Sequence, residues 1–135
     1  MAPSVTIPQT AIRIKNQATG RFLYDNANDG LVSWQESTIA DSYWFITPVA
    51  ENVYKIKNQF TGNNIYYNTR LNKPITWQDS ANPDGKWEIV PVTDTTFKIR
   101  NVLTPSIFLF DNPDNGVIGY HDNDATDGKW TILTK

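Results

Sequence analysis

Polar side chains that could hydrogen-bond a ligand recur in this sequence at positions that repeat three times. One such position is an asparagine in every copy: Asn26, Asn68 and Asn112. Asp25 and Asp111 precede two of these asparagines, and Tyr67 takes that place in the other copy. A second recurring position holds Gln35, Gln78 and His121. Their donors, acceptors and carboxylates are the groups that a hydroxyl-rich ligand requires.

A purely structural interpretation of the same residues stays open, because Asn and Asp are common in turns. For Asn26, Asn68 and Asn112 we keep both interpretations. A second asparagine set ends the first predicted strand of each copy, and we assign it mainly to turn structure: Asn16, Asn58 and Asn101. An aspartate also stands three residues before a tryptophan in each copy, and turn structure accounts for it as well: Asp41, Asp84 and Asp127.

The sequence offers little for catalysis. It has one histidine and no cysteine, so a nucleophilic triad is improbable. It contains no Gly-x-Ser-x-Gly turn, phosphate-binding loop, dinucleotide fingerprint or His/Cys metal spacing. No pair of carboxylates stands apart from the threefold pattern, as a glycosidase would need. We therefore predict that the protein is not an enzyme and uses no cofactor and no metal.

Three tryptophans 43 residues apart define the repeat: Trp44, Trp87 and Trp130. The string that begins at Ile12 (Ile-Arg-Ile-Lys-Asn) recurs from Tyr54 (Tyr-Lys-Ile-Lys-Asn) and from Phe97 (Phe-Lys-Ile-Arg-Asn). The units run roughly over 11–52, 53–95 and 96–135, a length typical of repeat architectures. Any function must therefore be considered unit by unit.

Each unit contains about four short runs of alternating residues separated by turn chemistry. In the first unit these predicted strands cover roughly 11–15, 21–25, 31–35 and 43–47. Three such units give about twelve strands, which can close a barrel and leave no exposed edge. The pattern predicts an all-β fold, a β-trefoil, as a single domain over 1–135. A three-bladed propeller is the alternative, although propellers usually have more blades.

Alternation along the third strand of each unit predicts which side chains point inward. The aromatic residues there share a face with an aliphatic neighbour, and the opposite face is small or polar. We therefore predict that this aromatic set is in the core rather than a platform for sugar stacking: Trp34, Trp77 and Tyr120. Trp44 and its equivalents are expected in the core too. The alternative, a stacking role for the Trp34 set, stays open.

Composition limits the partners. With 135 residues, 39% of them hydrophobic, the chain can fill a core without disulfides. Its net charge is −2 and its cations are scattered, which argues against nucleic acid as a partner. It has no signal-peptide pattern and no membrane-spanning apolar run. We expect a protein that does not insert into membranes and that is cytoplasmic or released without a signal peptide. A homodimer is compatible with these features.

The threefold string of Ile-x-Asn-x-x-Thr-Gly, Leu, Val and Asp-x-x-Trp-x-Ile resembles the ricin-B-type β-trefoil lectins over approximately 11–135. The resemblance implies a trefoil with up to three shallow carbohydrate sites. It also implies a contact at Asp41, Asp84 and Asp127. The chain departs from the family where Ser42, Gly85 and Gly128 replace Gln, and where Tyr24, Tyr66 and Phe110 replace a sugar-binding Asp. If Trp34 points inward, the family's platform position holds Gln35, Gln78 and His121, of which His121 can stack.

Three functional hypotheses follow. The first is a non-catalytic lectin that binds glycans or glycoconjugates through several sites at once. The second is a trefoil protease inhibitor, for which the less repeated segment 68–74 offers Arg70 and Lys73. The third is the receptor-binding domain of a pore-forming toxin.

Overall fold

The computed structural model describes residues 7–26, 30–34, 42–68, 70, 73–77, 85–112, 116–120 and 128–133. Within these ranges the chain forms twelve β-strands. The first unit contributes β1 (Arg13–Asn16), β2 (Phe22–Asn26), β3 (Gly30–Trp34) and β4 (Trp44–Ala50). The second contributes β5 (Val53–Asn58), β6 (Asn64–Asn68), β7 (Lys73–Trp77) and β8 (Trp87–Pro91). The third contributes β9 (Thr96–Asn101), β10 (Phe108–Asn112), β11 (Gly116–Tyr120) and β12 (Trp130–Leu133).

The first and fourth strands of the three units form a closed barrel. Antiparallel pairing runs from β1 through β12, β9, β8 and β5 to β4. A bridge between Ile12 and Trp44 closes the ring. The second and third strands pair as hairpins, β2–β3, β6–β7 and β10–β11, and the three third strands lie next to one another. This arrangement is a β-trefoil, so the predicted fold class is confirmed.

The repeated tryptophans occupy equivalent places in the core. Trp44, Trp87 and Trp130 are each 0% exposed. Each indole Nε1 donates a hydrogen bond of 2.8–3.0 Å to a backbone carbonyl on the second strand of its own unit: Leu23, Ile65 and Leu109. A buried indole N–H needs such a partner. The core prediction for this set is confirmed, and the indole fixes the hairpin of each unit to the barrel.

The turn between the first and second strands is built by the predicted asparagines. The Asn16 Oδ1 accepts hydrogen bonds from the backbone N–H groups of Ala18 and Thr19. The Asn58 Oδ1 accepts from Phe60 and Thr61 in the same way. Gly20 and Gly62 follow with φ of 72° and 75°, a left-handed conformation that favours glycine. The assignment of Asn16 and Asn58 to turn structure is confirmed.

The third unit builds the same turn with one difference. The Asn101 Oδ1 accepts a hydrogen bond from the N–H of Thr104. Pro105 stands where the other units have glycine, and the turn is completed by the Ile107 N–H, which donates to the carbonyl of Thr104. Asn101 is buried like its equivalents, so it too belongs to turn structure.

The predicted inner face of the third strands is wrong for β7 and β11, whereas the side chains of β3 lie outside the described residues. Thr76 and Val117 are buried, whereas Ile75 and Ile118 are only half-buried. The backbone register explains this, because the core residue Ile65 is paired directly with Thr76 and paired residues share a face. The three third strands lie against one another, and the inner positions of β7 and β11 hold Thr76, Val117 and the closely packed Gly119. Small or polar residues there signal crowding, not exposure.

Candidate functional site

The hairpins of neighbouring units are joined by the residue that follows the second-strand aromatic. Asp25 of the first unit is buried, and both its carboxylate oxygens are used by the second unit. The Thr61 hydroxyl donates to one oxygen, and the Thr76 hydroxyl donates to the other at 2.7 Å. Asp25 therefore links the first hairpin to a turn and a strand of the second unit.

Asp111 makes the equivalent link from the third unit back to the first. Its carboxylate is buried, and it accepts a hydrogen bond from the Thr19 hydroxyl. The Arg21 Nε lies 3.4 Å from the same carboxylate. A buried carboxylate requires such partners. The first and third units are thereby joined through Thr19, Arg21 and Asp111.

The remaining junction, between the second and third units, is apolar. Tyr67 stands where the other units have aspartate, and it is buried. A Cβ atom added at Gly119 would lie 2.6 Å from the Tyr67 ring and 2.7 Å from the Ile107 Cγ2 atom. Gly119 therefore leaves the space that the Tyr67 ring and Ile107 fill. Desolvation by burial raises the pKa of the Tyr67 phenol above its usual 10.0.

These three junctions form a ring, from the first unit to the second, the second to the third and the third to the first. Asp25 and Asp111 were expected to belong to an outward polar cluster, and the structure instead places them inside this ring. Their oxygens already accept hydrogen bonds from Thr61, Thr76 and Thr19. We therefore leave both aspartates out of the candidate ligand surface.

The other predicted site residues are located as follows. Asn68 ends β6 and is half-buried. Asn26 and Asn112 end β2 and β10, where their backbones pair with Gly30 and Gly116, but their side chains lie outside the described residues. The same holds for the side chains of the aromatic set that ends the third strands: Trp34, Trp77 and Tyr120. The remaining predicted residues lie outside the described ranges altogether: Gln35, Asp41, Gln78, Asp84, His121 and Asp127.

An aromatic residue of the second strand lies on the face of each hairpin that is turned away from the core. Tyr24 is paired with Val32, and Tyr66 is paired with Ile75; both tyrosines are half-buried. The third unit differs, because its equivalent residue, Phe110, is buried. A Cβ atom added at Gly128 would lie 2.5 Å from the Phe110 ring, so this glycine accommodates the ring. The outer faces of the first two hairpins thus carry a partly accessible phenol.

A basic residue on the first strand of each unit is paired with the hairpin of that unit, and the sequence interpretation did not single out these residues. Each unit has a row of three residues paired across its first three strands: Lys15–Phe22–Trp34, Lys57–Asn64–Trp77 and Arg100–Phe108–Tyr120. Paired residues share a face, so each cation lies on the same face of the sheet as the middle residue of its row, which is buried in all three units. The signal was present in the repeated strings, where a basic residue stands directly before each of the first-strand asparagines.

Other kinds of site find no support in the described part of the chain. No group of three or more His, Cys, Asp or Glu side chains there could hold a metal ion. Across those same residues, no helix is long and apolar enough to cross a membrane.

Comparison with known proteins identifies the fold. No protein-family model matches the chain, and no curated protein matches it significantly in sequence. Among solved structures, ThreeFoil, a designed 3-fold symmetric protein, matches with a TM-score of 0.84 at 13% identity, over 93% of this chain and 99% of that one. SeviL, solved bound to asialo-GM1 saccharide, matches with a TM-score of 0.79 at 15% identity, over 94% and 98%.

A longer protein contains the same fold. A mosquitocidal holotoxin matches with a TM-score of 0.85 at 20% identity. The match covers 96% of this chain, which spans only 18% of the holotoxin's length. At these identities the three likenesses establish the β-trefoil fold, and they agree with the resemblance to trefoil lectins noted in the sequence.

Proposed function

We propose that this protein is a non-catalytic lectin that binds glycans through the outer faces of its three hairpins. The observation that carries the proposal is the register of the third strands. Thr76 and Val117 are buried against the core, while Ile75 and Ile118 are half-buried. Since side chains alternate along a strand, we infer that Trp77 and Tyr120, two residues beyond these isoleucines, share the outer face with them.

This register supports a ligand surface centred on the aromatic residues. An outward aromatic ring offers a sugar an apolar surface, and nearby polar groups give direction to its hydroxyls. Trp34, Trp77 and Tyr120 would provide the rings. Asn26, Asn68 and Asn112, which end the adjoining second strands, would provide the amides. Tyr24 and Tyr66 are half-buried on the same face and could add phenol contacts in the first two units.

Multivalency would set the strength of binding. A shallow site on one hairpin binds a free sugar weakly, whereas three sites on one rigid body raise the effective concentration at a glycan-coated surface. SeviL, a β-trefoil of nearly the same length, is described as bound to a saccharide, which agrees with this use of the fold. The same activity would suit a receptor-binding domain of a toxin, as the mosquitocidal holotoxin contains this fold.

A glycan array tests the proposal. We expect the purified protein to bind a related group of immobilised oligosaccharides. Single substitutions Trp34→Ala, Trp77→Ala and Tyr120→Ala should each reduce surface binding, as should Asn26→Ala, Asn68→Ala and Asn112→Ala. Phe60→Ala is the matched control, because Phe60 is 69% exposed on a turn and its loss should leave binding unchanged. Absence of binding to every glycan on the array would remove the proposal.

The second candidate is protease inhibition through the segment 68–74. Arg70 and Lys73 are exposed there, as a residue for a trypsin-like primary pocket must be. An inhibition assay against serine and cysteine proteases separates the two candidates. Inhibition that is lost in Arg70→Ala or Lys73→Ala would favour this alternative over the lectin.

A further inference from the structure

The three rows of paired residues that run from the first to the third strands are not equivalent. In the first unit, the Lys15 Nζ lies 6.0 Å from the centroid of the Phe22 ring. In the third, the Arg100 guanidinium carbon lies 5.8 Å from the Phe108 centroid, and Arg100 is also ion-paired with Glu88. Both cations thus have a partner in the fold, an aromatic face in each case and a carboxylate in one.

The second unit has neither partner. Asn64 stands where the other units have phenylalanine, and although Phe45 is paired with Lys57 on the other side, Lys57 makes no cation–π contact with a described ring. Lys57 is exposed, and no acidic side chain within the described ranges forms an ion pair with it. Its positive charge is therefore the one among the three rows that the described structure leaves available to a ligand.

The asparagine in this row carries an unused donor. Asn64 is 5% exposed, and its Nδ2 atom has no hydrogen-bond acceptor among the described residues. A buried amide N–H without a partner is unfavourable, and it is uncommon in a folded protein. Its strand positions pair Asn64 with Lys57 on one side and Trp77 on the other, and Asn64 itself is buried beneath the surface. A buried amide donor and an exposed lysine are thus cross-strand neighbours.

We propose that Lys57 and Asn64 of the second row form a subsite for the anionic group of an acidic glycan, a carboxylate or a sulfate. This inference rests on the proposed lectin function and deepens it by assigning a ligand class. An anionic oxygen accepts a hydrogen bond from the Asn64 amide and balances the Lys57 charge, whereas a neutral hydroxyl satisfies only the amide. Because the net charge of the whole chain is −2, the attraction is local to this row.

The test is an array that carries each core oligosaccharide in neutral, sialylated and sulfated form. We expect wild-type protein to bind at least one acidic form about tenfold more tightly than its neutral core, as a charge-assisted hydrogen bond allows. The sialylated and sulfated arms show which anion is preferred. The preference should weaken as salt is added, because the ion pair is partly exposed.

Three variants locate the preference. Lys57→Gln removes the charge and should abolish it. Asn64→Phe copies the residue of the other two units at this register position and should also abolish it. Lys15→Gln removes the equivalent cation of the first unit and should leave it intact, so it is the matched control.

The outcomes separate this inference from the lectin proposal. Equal binding of neutral and acidic forms overturns the inference and leaves the lectin standing. An equal loss in Lys57→Gln and Lys15→Gln also overturns it, because the effect would then be general electrostatics. If Asn64→Phe does not fold, Lys57→Gln alone tests the inference, because Lys57 is exposed and its substitution should leave the fold intact. Failure to bind any glycan overturns both proposals.

Discussion

At the scale of single residues, one position per unit shows how a repeated sequence is adapted to its neighbours. Asp25 and Asp111 form hydrogen-bonded junctions, and Tyr67 forms an apolar one at the equivalent place. The sequence alone showed that these three positions correspond. It could not show that they point inward, because a carboxylate beside a turn asparagine is equally suited to a ligand.

The raised pKa of Tyr67 predicts a specific loss of stability at alkaline pH. Above pH ~10 the unfolded chain gives up its Tyr67 proton before the folded chain does, so the unfolded state is favoured and the free energy of unfolding falls as pH rises. Denaturant unfolding between about pH 8 and 11 should show a shallower fall in Tyr67→Phe than in wild-type protein. Identical pH profiles of the two proteins would contradict a desolvated phenol at this junction.

At the scale of strands and hairpins, the sequence predicted most of the fold. Strand positions, the asparagine turns and the Trp44 set all agree with the structure, because period-two alternation and turn chemistry are local signals. The inner face of β7 and β11 was not predicted correctly. Small and polar residues such as Thr76 and Gly119 normally mark an outer face, but here the contact between three hairpins requires small side chains.

The junction between Tyr67 and Gly119 predicts a compensating pair of substitutions. Gly119→Thr places a Cβ about 2.6 Å from the Tyr67 ring, and such overpacking should lower the free energy of unfolding by about 1–3 kcal/mol. Adding Tyr67→Asp should recover much of this loss, because the double variant copies the Asp25–Thr76 hydrogen bond of the neighbouring junction.

A double-mutant cycle by denaturant unfolding measures that compensation. Gly62→Ala is a control of a different kind: its Cβ would meet nothing within 4 Å, but its φ of 75° is strained for alanine. Gly62→Ala should therefore lower the free energy of unfolding by the same amount whether or not Tyr67→Asp is present. Strictly additive effects of Gly119→Thr and Tyr67→Asp would show that the two side chains do not share this space.

At the scale of the whole molecule, a shared barrel presents three hairpins whose outer faces are similar but not equal. The second unit alone replaces the buried phenylalanine of its row with Asn64, and the third buries Phe110 where the others expose part of a tyrosine. The fold supplies the multivalent arrangement, and the differences between units supply a way to distinguish ligands. The candidate site could be predicted from the sequence only in outline, since its ligand-facing side depended on the register of the third strands.

Mapping the bound sugar on the protein shows whether the outer faces of the hairpins form the glycan site. Isotope-labelled protein would be titrated with a soluble oligosaccharide that the array identifies, and the amide chemical shifts would be followed by NMR. If glycans bind the hairpins, the largest shifts should occur on the paired second and third strands, at positions that include Tyr66, Ile75 and Trp77. Shifts confined to the turns that join β4 to β5 and β8 to β9, with the hairpins unchanged, would show that the glycan site is not on the hairpins.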